Sequence, residues 1–168
     1  SGVRSAGPVV PSLTARGIRH VTLTASTRGW DPGADLRSAG QLWRILRAER
    51  PTILHTHNPK PGIYGRIVGR LAGVPIVVNT VHGLYATETD GWKRRLAVYG
   101  LEGLASRFSD GELIQNAEDV TTIQRFHLAA RPKVTLLGNG VAVGLFGDPA
   151  LADRRPGVRS AWGVGAHP

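Results

Sequence analysis

Five short runs of strand-forming residues alternate along this chain with stretches whose apolar side chains recur every three or four positions, and that alternation restricts the fold more than any other feature. The runs are His20–Thr24, Thr52–His57, Ile76–Val81, Glu112–Gln115 and Lys133–Leu137. Successive strands separated by helices cannot pair as hairpins. They pair in parallel, with each helix as a crossover, and the crossovers are right-handed. Strands that are apolar almost throughout imply a sheet covered on both faces. The expected fold is therefore α/β, a Rossmann-like parallel sheet flanked by helices.

The helical stretches carry their own punctuation. Asp31-Pro32 reads as a cap followed by a first-turn proline, with Leu36, Ala39, Leu42, Trp43 and Leu46 as the inward stripe and Pro51 beyond the end. Asn58-Pro59-Lys60-Pro61-Gly62 is a turn that opens the next helix. Its stripe is Ile63, Tyr64, Ile67, Val68 and Leu71, with Arg66 and Arg70 pointing elsewhere. Gly65 and Gly69 share a face that can lie close to a sheet, and Gly73 with Pro75 stops the helix. A long helix is expected from Trp92 to Phe108, with Leu96, Tyr99, Leu101, Leu104 and Ala105 inward. Asn116 to Asp119 reads as a cap with acidic residues in the first turn. These elements make one domain over residues 1–146. The Pro-, Gly- and Arg-rich remainder, 147–168, reads as a linker with one short helix near Arg154–Trp162.

With 168 residues, 41% of them hydrophobic, the chain can build a core. It has no cysteine, so neither disulfides nor thiolate metal sites are available. No apolar run approaches the roughly 20 residues of a membrane-spanning helix. The net charge of +9 suits nucleic acid, an anionic membrane surface or a phosphorylated substrate, but the cations are scattered, as on a solvated basic surface with no specific partner. Aromatic residues are only 6% and are not interleaved with the cations as base-stacking surfaces require, so nucleic acid is not expected as a partner. Trp92-Lys93-Arg94-Arg95, an aromatic beside three cations, suits a membrane interface, and equally a solvated helix end.

In open parallel sheets ligands bind beyond the carboxyl ends of the strands. The polar sets His57-Asn58-Lys60, His82-Gly83, Gln115-Asn116 and Asn139-Gly140 all fall there and are expected on one rim. Each admits more than one reading. His55 and His57 are two apart, so they share a face of a strand and could hold a metal with His82, or His55 could simply bond within the sheet. The turn at Asn58–Gly62 offers a helix amino end and the Lys60 charge to an anion, or is only a rigid corner. His82 before Gly83 can act as a hydrogen-bond donor or an acid or base on a closely approaching ligand, or is a satisfied loop histidine. Glycines flanking Asn139 present its amide, as in many turns.

Taken in order, His-Thr-His-Asn-Pro-Lys (55–60), Gly-Val-Pro-Ile-Val-Val-Asn-Thr-Val-His-Gly (73–83) and Gly-Asn-Gly-Val (138–141) resemble the amino-terminal domain of retaining glycosyltransferases of family four, over about Arg16 to Phe146. The resemblance implies a GT-B half-domain that binds the acceptor across a cleft from a second domain, which holds a UDP- or GDP-sugar. It implies no metal and no cofactor besides that nucleotide-sugar co-substrate. It places His82 as the catalytic contact to the donor sugar or its diphosphate. His57, Asn58, Lys60, Gly62, Gly83, Asn139 and Gly140 are the expected substrate-binding residues, the resemblance placing Asn139 and Gly140 close to the inter-domain hinge. The basic charge makes an acceptor at a membrane surface reasonable, so the expected location is cytoplasmic or peripheral at the inner face of the cell membrane.

The sequence departs from the family pattern in three places. Only Ser1–Gly7 stands where a first strand and glycine-rich loop belong, Ala142 stands where the loop carries Asp, and the chain ends at Pro168 before a donor domain. The expectation is a half-enzyme, inactive without its carboxy-terminal domain. The alternatives are a non-catalytic module for a polar or anionic ligand and a His-dependent metallohydrolase.

Overall fold

The computed structural model describes residues 9–27, 29, 31–57, 59–87, 89–140, 143–146 and 150–163. The expectations at Ser1–Gly7, Asn58 and Ala142 lie outside them. Four parallel strands form one sheet in the order β1 Ile53–His57, β2 Ile76–Val81, β3 Gly111–Ile114 and β4 Val134–Leu136. Each step along the sheet is one crossover: α3 Pro59–Leu71, α4 Trp92–Ala105 continued by a 3-10 turn at Ser106–Phe108, and α5 Ala117–Arg125. Two helices precede the sheet, α1 Val10–Ala15 and α2 Pro32–Glu49. The Asp31 carboxylate accepts from Ala34 N–H at 2.9 Å, as a helix cap should.

Helix α3 lies against the sheet face that carries Leu54, Thr56, Val77 and Asn79. Gly62, Gly65 and Gly69 set the approach. A Cβ on Gly62 would stand 2.9 Å from Asn79 Oδ1, one on Gly65 2.8 Å from Thr56 Cγ2, and one on Gly69 closer still to Leu54 Cδ2. The same face holds both cores. Leu46, Val68, Ala72, Val74 and Val77 form one, with Leu42 and Leu54 against it. Val81, Ala86, Tyr99, Ile114, Ile123 and Leu128 form the other. Between Val77 and Val81 on β2 stands Asn79, the start of a buried polar network. Asn79 accepts from Thr56 Oγ1 at 2.8 Å and donates to Glu112 Oε2 at 2.9 Å. Glu112 Oε1 accepts from Arg66 Nη1 at 2.8 Å and from Ser109 Oγ at 2.5 Å. Arg66 also donates to Glu102 Oε2 at 2.5 Å and to Gly62 O at 2.8 Å.

Several sequence expectations are corrected here. His20–Thr24 is not part of the sheet among the described residues, and Gln41 of α2 bonds its end, accepting from Ala25 N and donating to Thr24 Oγ1. Arg66 does not point away from the core but is 1% exposed. On α2, Ala39, Leu42 and Leu46 face the core as expected, joined by the buried Ala34 and Ser38, while Leu36 and Trp43 are exposed. On α4, Tyr99 and Ala105 are buried but Leu96 and Leu104 face outward. Cover on both faces is not seen along β1 and the start of β2, where Ile53 and Ile76 are exposed.

The chain divides into two compact units, residues 1–138 and 139–168. The second contains the short helix α6 Val143–Phe146 and α7 Ala150–Ala161, which accommodates Pro156 in its interior. The helix expected near Arg154–Trp162 is therefore present and starts earlier.

Candidate functional site

Because all four strands are parallel, their carboxyl ends share one edge, and the register fixes what meets there. His57 ends β1 opposite Thr80, His82 follows β2, and Gln115 follows β3, its N–H donating to Val81 O at 3.1 Å. The three side chains form a hydrogen-bonded row across the edge. His57 Nδ1 lies 3.0 Å from His82 Nε2, and His82 Nδ1 lies 2.9 Å from Gln115 Oε1. With the Gln115 carbonyl as acceptor, His82 carries its proton on Nδ1 and accepts at Nε2 from His57 Nδ1–H. Both imidazoles are exposed. His55 stands behind His57 on the same face, ring centroids 4.2 Å apart, with Nε2 2.8 Å from Thr80 Oγ1. Its partner is thus a side-chain hydroxyl rather than a backbone group.

The row is electrostatically crowded. Partial burial, then the neighbouring His55 and His82 rings, lower the His57 pKa from the ordinary imidazole value. The fold therefore holds His57 neutral at a pH where the unfolded chain already binds its proton. The unfolded state binds more protons there, and stability falls as pH drops through that range. We expect His57→Gln to flatten the fall in Tm between about pH 7.5 and about pH 5.5, a window around the unperturbed imidazole pKa of about 6.5. Thermal melts at several pH values check this. A Tm difference between variant and wild type that is constant with pH contradicts it.

The remaining sequence-predicted residues divide. Gly83 follows His82 with φ +154°, a backbone that disfavours a side chain, and an added Cβ would meet only Asn116 Nδ2 at 4.0 Å. Gly62 is turned onto Asn79 and serves the packing of α3. Lys60 pairs with Asp35 at 2.6 Å, donates to Thr27 O at 3.2 Å and also reaches Gly29 O, so its charge is matched within the fold. Asn58 lies outside the described residues. Asn139 and Gly140 begin the second unit and are both exposed. Among the described residues, no group of three or more His, Cys, Asp or Glu side chains converges as metal ligands would. Sequence reasoning put Gln115 at the rim without a role and missed Thr80; polar side chains at adjoining strand ends were the available signal.

A family model described as "Glycosyl transferase 4-like domain" matches residues 3–140, most of the chain, including the His57–His82–Gln115 row. The chain belongs to that family. Among curated relatives, the glycosyltransferase-4-like domain is 35% identical over 117 residues to the UDP-Gal:alpha-D-GlcNAc-diphosphoundecaprenol alpha-1,3-galactosyltransferase of Escherichia coli, covering 70% of this chain and 30% of that enzyme. It is 30% identical over 113 residues to the capsular polysaccharide biosynthesis glycosyltransferase CapM of Staphylococcus aureus, covering 67% of this chain and 29% of that protein. The domain thus spans about three-tenths of the length of each relative. Among the described residues, no helix is long and apolar enough to cross a membrane.

Proposed function

We propose that this domain is the acceptor-side wall of a retaining glycosyltransferase that moves a sugar from a UDP-sugar to a sugar carried on a diphosphate-linked lipid. The reading rests on the exposed His57–His82–Gln115 row in a chain of this family. In such a transfer the bond from the sugar's anomeric carbon to the diphosphate breaks, the acceptor oxygen bonds to that carbon, and the acceptor proton passes to the departing diphosphate. Negative charge grows on the leaving oxygens, and a preset donor aimed at them lowers the barrier. Gln115 holds Nδ1–H of His82, so Nε2 is the nitrogen presented to the rim. A proton taken up from solvent at Nε2 breaks the bond to His57 and leaves an imidazolium, whose Nε2–H then donates to an arriving phosphate oxygen. The second wall, which binds the nucleotide, comes from a carboxy-terminal donor domain, and its closure excludes water. The relative's acceptor, GlcNAc-diphosphoundecaprenol, supports a lipid-linked acceptor and a working place at the inner face of the cell membrane. The reaction as read needs no metal or further cofactor.

Titration separates the two walls. A short-chain sugar-diphosphate-lipid analogue is expected to shift the His57 and His82 ring resonances of this chain, whereas UDP-galactose is expected to bind no tighter than the millimolar range, roughly −4 kcal/mol. Tight UDP-galactose binding by the chain alone, or an acceptor analogue that leaves both rings unmoved, contradicts this division of labour.

A further inference from the structure

We propose that the outer face of α4 is the surface by which this domain docks on an anionic lipid bilayer. From Leu96 to Ala105 the helix has only two side chains with polar groups, Tyr99 and Glu102, and both turn inward. Tyr99 is buried, with its hydroxyl donating to Ala86 O at 3.2 Å, and Glu102 accepts from Arg66. What remains outside is Leu96, Ala97, Gly100 and Leu104, an apolar stripe on a solvent-facing helix, with Leu96 67% exposed and Trp92 69%. A surface helix ordinarily places its polar residues there, but α4 is apolar on this side as well as on the inward side, where Val98, Tyr99 and Ala105 lie.

The charges around the stripe identify what covers it. Lys93 and Arg107 lie on the same side of the helix as Gly100, one at each end of the stripe, and both are exposed. Arg107 and Leu104 also line an open groove of about 640 Å³ that receives His127 and Arg131 and has no Asp or Glu in its wall. Cations that flank apolar side chains, with no carboxylate on the outer face of the helix, complement phosphate headgroups above an acyl layer. Position agrees with use. Helix α4 begins after the loop that follows His82, and Arg94 Nη2 donates to Tyr85 O at 3.0 Å, tying that loop to the helix. Tyr85 is itself exposed. A bilayer touching Trp92 and Tyr85 therefore lies at the edge that carries the histidine row.

The inference deepens the lipid-linked-acceptor reading by naming the face involved, and it rests on that reading for its purpose. Its test contains no donor and no acceptor, so the two fail separately. The full chain is sedimented with phosphatidylglycerol-containing vesicles and with phosphatidylcholine vesicles. Expected is binding to the first and little to the second, weakened on going from about 0.1 M to about 1 M salt as the Debye length shrinks from about 10 Å to about 3 Å. Trp92→Ser/Leu96→Ser is expected to cut the partition coefficient at least tenfold, and Lys93→Ser/Arg107→Ser to remove most of the salt dependence. Leu36→Ser/Trp43→Ser, which alters exposed apolar residues on α2, is expected to leave binding unchanged, and matching melts certify the folds. The proposal is overturned by absent or lipid-indifferent binding, by an unaffected Trp92/Leu96 variant, or by an equal loss in the α2 variant. It is overturned too if light scattering without vesicles finds a dimer abolished by the Trp92/Leu96 change, since a second copy would then cover the stripe.

Discussion

Arg66→Met is expected to destabilise the domain by about 3–5 kcal/mol in urea unfolding, the typical cost of removing one partner from a buried ion pair. The guanidinium is 1% exposed and makes three bonds that no other side chain supplies, to Gly62 O, Glu112 and Glu102. Methionine fills much of the volume but leaves Glu112, itself 2% exposed, with only Asn79 and Ser109 as donors and no counter-charge. The damage follows from the carboxylates left behind, and this gives the prediction a second signature. Burial already raises the Glu102 pKa even with Arg66 present. Without Arg66, the Glu102 carboxyl binds its proton more readily folded than unfolded, so stability falls as pH rises through its raised pKa. The variant's deficit is therefore larger near pH 8 than near pH 5, on the order of the single-ion penalties at stake. Adding Glu112→Gln to Arg66→Met recovers part of the loss, because the amide is neutral. A deficit below about 1 kcal/mol, or one flat with pH, would show that the network is not the structural centre argued here.

How far such a centre was legible depends on which physical signal is read. β2 was fully legible: Ile76–Val81 is a β-branched run bounded by Gly73-Val74-Pro75 and by His82-Gly83, and the strand occupies that run. The strand-end rule also brought His57, His82 and Gln115 to one edge. Arg66 was misread because charge was taken as a sign of exposure. Its spacing said otherwise: positions 62, 65, 66 and 69 share one helix face, and the glycines there already implied contact with the sheet. A glutamate in the middle of the four-residue β3 was the matching half of the signal, since a carboxylate between covered strands requires a buried cation. Leu96 and Leu104 were assigned inward because apolar periodicity normally marks the core face. Periodicity locates a stripe but does not say which solvent the stripe faces, and on α4 apolar residues occur all round. His20–Thr24 alternates like a strand, but strand pairing is a property of two segments, and among the described residues the four-stranded sheet does not extend to it.

His82→Ala, introduced into the protein assembled with a donor-binding domain, is expected to lower kcat by about 10²–10³-fold, equivalent to roughly 3–4 kcal/mol of lost stabilisation of the departing diphosphate. The KM for acceptor is expected to change little, because the contact strengthens only as charge develops on the leaving oxygens. His82 is exposed, and its side-chain bonds are to His57 and Gln115 at the rim, so the folded state loses only a surface bond network and melting should barely move. Two further variants make the role specific. His82→Gln retains an N–H donor of similar reach and should recover part of the rate. Gln115→Leu removes the oxygen that fixes Nδ1–H, so the ring can flip and present the wrong nitrogen; a loss of about tenfold in kcat, near one orientation-dependent hydrogen bond at about 1.4 kcal/mol, is expected with KM again held. Were His82→Ala to transfer sugar at the wild-type rate, the row would be only a surface hydrogen-bond chain. Were Gln115→Leu silent while His82→Ala was not, the imidazole would act without the tautomer that its neighbour enforces.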